Sequence, residues 1–245
     1  MPNVESPNYP GKFPYAVSVL AFILLCLTFF SQVDAADPKA KSTDEQVIFY
    51  LHGRIIEDQG PGATSDRFGR YEYEAILKSL SRNGHRVVSE VRKPKTDVWS
   101  YARKIAADIE ELKSTGLPSK DITVVGASKG AAIAVLVSHL VRDARINYVL
   151  LAICGTRMLE YWDEENVCIT GNVLSIYETS DELASSCVAL ADRCSDRITS
   201  HEEIELSLGV GHGMLYKPRE QWVAPALEWT RKNKAVQQAA EPDRP

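Results

Sequence analysis

The pentapeptide "GASKG", residues 126–130, sets one hydroxyl, that of Ser128, between Gly126 and Gly130 where the sequence changes from "ITVV" to "AAIAVLVSHLV". A serine hydroxyl is a poor nucleophile at neutral pH and needs a base, which in turn needs a group to orient it. The chain has five histidines. His85 opens an extended segment, His139 lies within a helical stretch and His201 precedes another extended segment, so each has an ordinary structural reading. His212 differs, because "SLGVGHGMLY" surrounds it with three glycines and has no helical or strand period. His52 ends an apolar run in "YLHG". For the orienting acid, "NVLSIYE" is followed by "TSDELA", which makes Asp181 the choice, with Glu178 and Glu182 as competitors. Serine, histidine and aspartate in these roles are equipped for nucleophilic attack on an acyl carbon.

Such chemistry requires elements that hold distant residues together. Five residues ending at Gly126 read as a buried strand and the segment from Gly130 as a helix, so Ser128 falls on a sharp strand-to-helix corner. Glycines at 126 and 130 let neighbouring backbone pass, and the amide of Lys129 at the helix start faces a developing oxyanion. The strand candidates are 47–52, 85–91, 122–126, 146–154, 172–178 and 202–208. Helices are expected at 71–84, 96–116, from 130 onward, near 181–191 and at 220–234. Strands alternating with helices predict an α/β fold: a single domain with a mostly parallel, doubly wound sheet of about six strands and helices on both faces. In such sheets ligands bind beyond the carboxyl ends of the strands.

Ser128, Asp181 and His212 each follow a strand's carboxyl end, in that chain order. With "YLHG" after the first strand, "GASKG" at the corner, "SDE" after the penultimate strand and "GHG" after the last, residues 46–232 resemble the α/β-hydrolase fold family, of the serine hydrolase or esterase type. The resemblance implies Ser128 as nucleophile, His212 as base and Asp181 as orienting acid. It also likens His52-Gly53 to the family's oxyanion-loop pair, with the Arg54 amide as second oxyanion donor beside Lys129. Arg54 after Gly53 departs from the HGGG form of some lipases, and the only insertion, 155–171, is too small for a large lid, so an open pocket is expected.

The rest of the sequence narrows the setting. Lys12 precedes an apolar run, 16–30, and Val33 and Ala35 fit a signal-peptidase site, which predicts a signal peptide over 1–35 and a mature chain from Ala36. A flexible leader at 36–45, a hydrolase domain at 46–234 and a disordered tail at 235–245 complete the expected organisation. The apolar run is too short to span a bilayer, so the mature chain is expected to have no stable membrane insertion and to be periplasmic or extracellular. Outside the run remain Cys154, Cys168, Cys187 and Cys194, an even number that predicts disulfides in an oxidising compartment. Short loops favour Cys187 with Cys194 and Cys154 with Cys168; four buried thiols are the alternative. Neither CxxC nor a Cys/His pair at zinc spacing occurs, and the inferred chemistry calls for no metal and no cofactor. A net charge of −5, with no basic run interleaved with aromatics, argues against nucleic acid as a partner.

These features point to a carboxylesterase-like serine hydrolase acting on a small-molecule acyl substrate. A peptidase with the same triad and a non-catalytic binding module are the alternatives. Substrate choice falls to Lys129 and the loop at 53–70, where Lys129, Glu57 and Asp58 also have the plainer reading of solvated charges.

Overall fold

The computed structural model describes residues 45–240; the signal segment, nearly all of the leader and residues 241–245 lie outside them. The chain runs from β1 (Val47–Leu51) through α1 (Arg54–Gln59), the short strands β2 (Thr64–Ser65) and β3 (Gly69–Arg70), and α2 (Tyr73–Leu80) to β4 (Arg86–Val88). Next come α3 (Val98–Ser114), β5 (Ile122–Ala127), α4 (Lys129–Val141), β6 (Asn147–Leu151) and α5 (Thr156–Glu164). It closes with β7 (Gly171–Glu178), α6 (Val188–Arg193), β8 (Ile198–Leu206), a 3-10 turn at Gly211–Tyr216 and α7 (Glu220–Ala240).

Six strands form one sheet in the order β4-β1-β5-β6-β7-β8, with each neighbouring pair parallel. Side chains alternate across it. Val47, Phe49 and Leu51 join a core with Tyr101 and Ile109 of α3, Ile133 of α4 and Trp162 of α5. Ile48 and Tyr50 join the opposite core with Ile56 of α1, Ile76 and Leu80 of α2 and Trp222 of α7. Both faces are therefore covered, which is why β1, β5, β6 and β7 read as apolar runs. From β1 the chain steps outward to β4 and then returns to pair β5 on the other side, so the strand order reverses between β1 and β5. The crevice over such a reversal is where α/β sheets place ligands.

Several elements differ from expectation for local reasons. The stretch 53–70 is not a plain loop: α1 forms, stops at Gly60 (φ 79°), and is followed by the β2–β3 hairpin. Residues 179–187 are not helical, because Asp181 folds back to accept the Leu183 amide at 3.0 Å, an Asx turn that competes with helix start. Strand β8 begins at Ile198, so His201 lies inside it, bonded to Ser175 Oγ at 3.1 Å. At the C-terminal end α7 runs from Glu220 to Ala240.

The cysteine pairing also differs. Cys154 bonds Cys187 and Cys168 bonds Cys194, with Cα separations of 5.1 and 5.5 Å. Cys187 and Cys194 flank α6 on opposite ends. Seven helical steps put them about 10 Å apart, beyond disulfide reach. Cys154 and Cys168 are likewise separated by α5. Short sequence loops were a poor guide because a helix fills each of them.

Candidate active site

Ser128 caps α4 with φ 53° and ψ −119°, a strained conformation for a residue with a side chain, of about 1–3 kcal/mol. Its neighbours impose that geometry: its N–H donates to the Leu151 carbonyl at 2.9 Å, and its own carbonyl accepts from Ala131 and Ala132 at 2.8 and 3.1 Å. The flanking glycines are required by close approach. A Cβ on Gly130 would lie 1.8 Å from the Leu51 carbonyl oxygen, and one on Gly126 would lie 2.5 Å from Ala131 Cα. The hydroxyl is thereby raised above β5, partly exposed, while β1 and α4 pack against each other beneath it.

His212 reaches Ser128 from the 3-10 turn after β8. Ser128 Oγ and His212 Nε2 are 2.8 Å apart, and His212 Nδ1 lies 2.6 Å from Asp181 Oδ2. A carboxylate only accepts, so Nδ1 carries the proton and Nε2 is left to accept from the hydroxyl. Asp181 is itself held by the Leu183 amide on its other oxygen and is almost fully buried. Of the competing acids, Glu182 is exposed and pairs with Arg67 at 3.5 Å. Glu178 is buried and turned the other way: its carboxylate accepts the amides of Leu208, Gly209 and Gly211 at 2.8–2.9 Å, together with the Ser180 amide and hydroxyl. Burial alone would raise its pKa, but these donors hold it below the ordinary carboxylate value. Glu178 thus shapes the loop that carries His212.

Opposite the histidine, Gly53 and Arg54 pass over the end of β1. A Cβ on Gly53 would come 3.7 Å from Ser128 Cβ, which places this backbone directly beside the hydroxyl-bearing residue. His52 is wholly buried and bonded on both nitrogens: the Arg92 N–H donates to Nε2 at 3.1 Å, and Nδ1 lies 2.8 Å from the Gly53 carbonyl. Because a backbone N–H can only donate, Nε2 accepts and Nδ1–H donates. Burial, then the nearby Arg92 charge, pushes the His52 pKa down to about 4. The ring therefore remains neutral and pins the Gly53 carbonyl. In a trans peptide the following N–H points the opposite way, so this contact fixes where the Arg54 amide is aimed. The Arg54 side chain leaves for solvent, where it pairs with Asp58 at 3.2 Å. Lys129 and Arg54 are the first residues of α4 and α1, positions whose amides have no acceptor within their own helix.

Two readings of charge are corrected here. Lys129 is not solvated and Glu57 is not on a wet loop: they meet at 2.6 Å in a largely buried contact that also takes in Arg92. Nothing local in the sequence marks Arg92, which lies in the irregular stretch "VRKPKT". A cavity of about 580 Å³ adjoins the His212 loop on the side of the β2–β3 hairpin, lined by Arg67, Phe68, Ser180, Val210 and Arg219 among others. Among the described residues no helix is long and apolar enough to cross a membrane.

No family model and no curated protein matches the chain. Among solved structures it is similar to SOBER1 of Arabidopsis thaliana, at 14% identity and a TM-score of 0.53 over 78% of this chain and 99% of that one. An arylesterase aligns at 15% identity and TM-score 0.52, over 78% of this chain and 76% of the other. An esterase/lipase from an uncultured bacterium gives 14% and 0.52, over 78% and 77%. At such identities the likeness is one of fold. The parallel six-stranded sheet, its covered faces and these alignments together make the chain an α/β-hydrolase fold protein.

Proposed function

We propose that the chain is a carboxylesterase-like serine hydrolase that cleaves an ester or related acyl bond of a small molecule through an acyl-enzyme. The observation that carries this reading is the unbroken line from Ser128 Oγ to His212 Nε2 at 2.8 Å and from His212 Nδ1 to Asp181 at 2.6 Å, on a strained strand-to-helix corner. Ser128 Oγ attacks the acyl carbon while His212 Nε2 takes its proton, and Asp181 stabilises the imidazolium without itself being protonated. The carbonyl oxygen, now an anion, takes hydrogen bonds from the Lys129 and Arg54 amides. Collapse of this intermediate breaks the bond to the alkoxy group, which leaves as an alcohol with the proton from His212. Water, deprotonated by His212, then attacks the acyl-Ser128 ester and releases the carboxylic acid, restoring the hydroxyl.

Two of the similar solved structures carry the names arylesterase and esterase/lipase, which agrees with this chemistry. The cavity beside the His212 loop is of a size typical for small-molecule sites. Two disulfides fit maturation in an oxidising compartment, and with the apolar run at 16–30 they support secretion and cleavage before Ala36. N-terminal sequencing of secreted material would return Ala36 as the first residue, and an intact Met1 in the membrane fraction would refute it.

A fluorophosphonate probe tests the central claim, since only an activated serine is labelled. Labelling of the wild type with none of Ser128→Ala, together with turnover of p-nitrophenyl acetate, supports the esterase. Labelling with amide but not ester turnover would favour a peptidase, and no labelling would favour a binding module.

A further inference from the structure

Beside Ser128 lies a buried ionic cluster that acyl transfer does not itself employ. Glu57 Oε1 accepts from Lys129 Nζ at 2.6 Å and from the Thr96 amide at 2.9 Å, and Oε2 accepts from Arg92 Nε at 3.3 Å. Lys129 Nζ also donates to the Thr96 carbonyl at 2.7 Å. Arg92 binds back to β1's end, through its N–H to His52 Nε2 and its Nη2 to the His52 carbonyl. One carboxylate therefore joins α1, the end of β1, the 92–96 stretch and the start of α4. The side chains of Glu57 and Arg92 are 1% and 0% exposed, and that of Lys129 19%. Burying three charges is expensive, and apolar residues of similar volume often serve stability as well or better, so stability alone is a weak reason for this arrangement.

Its placement supplies a stronger reason. The two amides assigned to the oxyanion belong to Arg54, three residues before Glu57 on α1, and to Lys129, whose own side chain Glu57 grips. We infer that Glu57 is a positioning residue which, through Lys129 and α1, sets the separation of the Arg54 and Lys129 amides. This rests on the acyl-transfer reading above. Two cations against one carboxylate also leave one net positive charge next to the place where the oxyanion forms, and His52, kept neutral, adds no second one.

Lys129→Met is the decisive variant, because it keeps the amide, removes a charge rather than stranding one, and leaves the Glu57–Arg92 pair intact. Its kcat on p-nitrophenyl acetate is expected to fall about 10- to 100-fold with KM within about threefold, as for an oxyanion donor displaced but not deleted. Affinity for a trifluoromethyl ketone, which forms an oxyanion on Ser128, should fall in parallel with kcat/KM, whereas a purely structural role would leave that affinity unchanged. Lys129→Arg, which keeps the ion pair, should recover most of the loss. Glu57→Gln should lose more, with a lower melting temperature from two unmatched buried cations; if it does not fold, Lys129→Met still decides. The inference is overturned if Lys129→Met keeps kcat within about twofold, or if it loses activity while ketone affinity stays at the wild-type level. Ser128→Ala separates the two claims: full turnover there sinks the acyl-transfer reading, whereas its loss beside an unaffected Lys129→Met sinks only the role of Glu57.

Discussion

The two flanks of Ser128 are each organised by one buried carboxylate, and they use it in opposite ways. On the histidine side Glu178 gathers backbone amides from Leu208, Gly209 and Gly211 and adds the Ser180 hydroxyl. On the side proposed to bind the oxyanion Glu57 gathers two cations, Lys129 and Arg92, and one amide. Amide donors come from neutral backbone close to the carboxylate's own strand end and shape a loop. Cations come on long side chains and tie together elements that the chain leaves far apart. The histidine flank is thus a loop held in shape, and the oxyanion flank is a set of rigid elements held at a distance.

The largest expected effects test whether the histidine flank has one catalytic acid or two. Ser128→Ala and His212→Ala should each lower kcat on p-nitrophenyl acetate by about 10⁶, and Asp181→Asn by about 10⁴ through loss of the useful tautomer. If Glu178→Gln proved more damaging to kcat than Asp181→Asn, the assignment of the acid would be reversed and the contrast between the flanks would collapse.

The disulfides sharpen the same comparison, since one of them, Cys154–Cys187, closes the segment that carries Asp181. Loops of 33 and 26 residues correspond to about 3–4 kcal/mol each by chain entropy, so Cys154→Ala/Cys187→Ala and Cys168→Ala/Cys194→Ala should both lower the unfolding free energy by that order. Only the first pair adjoins the segment bearing Asp181, so only it should also reduce kcat. Peptide mapping without reduction should recover the crossed pairs.

Acid should lower the stability of the fold through its buried histidines. His52 has a folded pKa of about 4 against 6.5 when free, so between those values the unfolded chain binds more protons. Its contribution is complete above pH 6.5 and is lost as pH falls toward 4, in all about 3 kcal/mol. His85, His139 and His201, also lowered by burial, act in the same direction. Urea midpoints measured from pH 7.5 to 4 should therefore decline below 6.5, and His52→Gln should flatten part of that slope. An unchanged slope would mean that His52 is not held neutral as described.

The smallest effect expected is that of Glu178→Gln on stability. An amide nitrogen cannot accept, so at least one of the backbone donors on that carboxylate loses its partner, at about 2 kcal/mol. Activity should fall less than in Asp181→Asn, because the loop is loosened and the tautomer is not.

Much of this architecture is legible in the residues themselves. Apolar runs buried on both faces mark β1, β5, β6 and β7, and the spacing of Tyr101, Ile105 and Ile109 marks α3. Two glycines around Ser128 announce a corner tight enough to forbid a Cβ, and three around His212 announce a loop with no period of its own. These are local signals: they depend on a few neighbouring residues, so one chain carries them in full. The rest depended on what lies across the molecule. Glu57 reads as a charged loop residue until α1 turns it inward against Lys129, 72 positions away. Short spacing suggested bridges from Cys187 to Cys194 and from Cys154 to Cys168, but intervening helices hold those ends apart and exchange the partners. Glu178 and Asp181 are three residues apart and chemically alike. Only the turn between them, which points one carboxylate at His212 and the other at the loop behind it, gives them different work, because hydrogen-bond direction is set by backbone geometry and not by residue type.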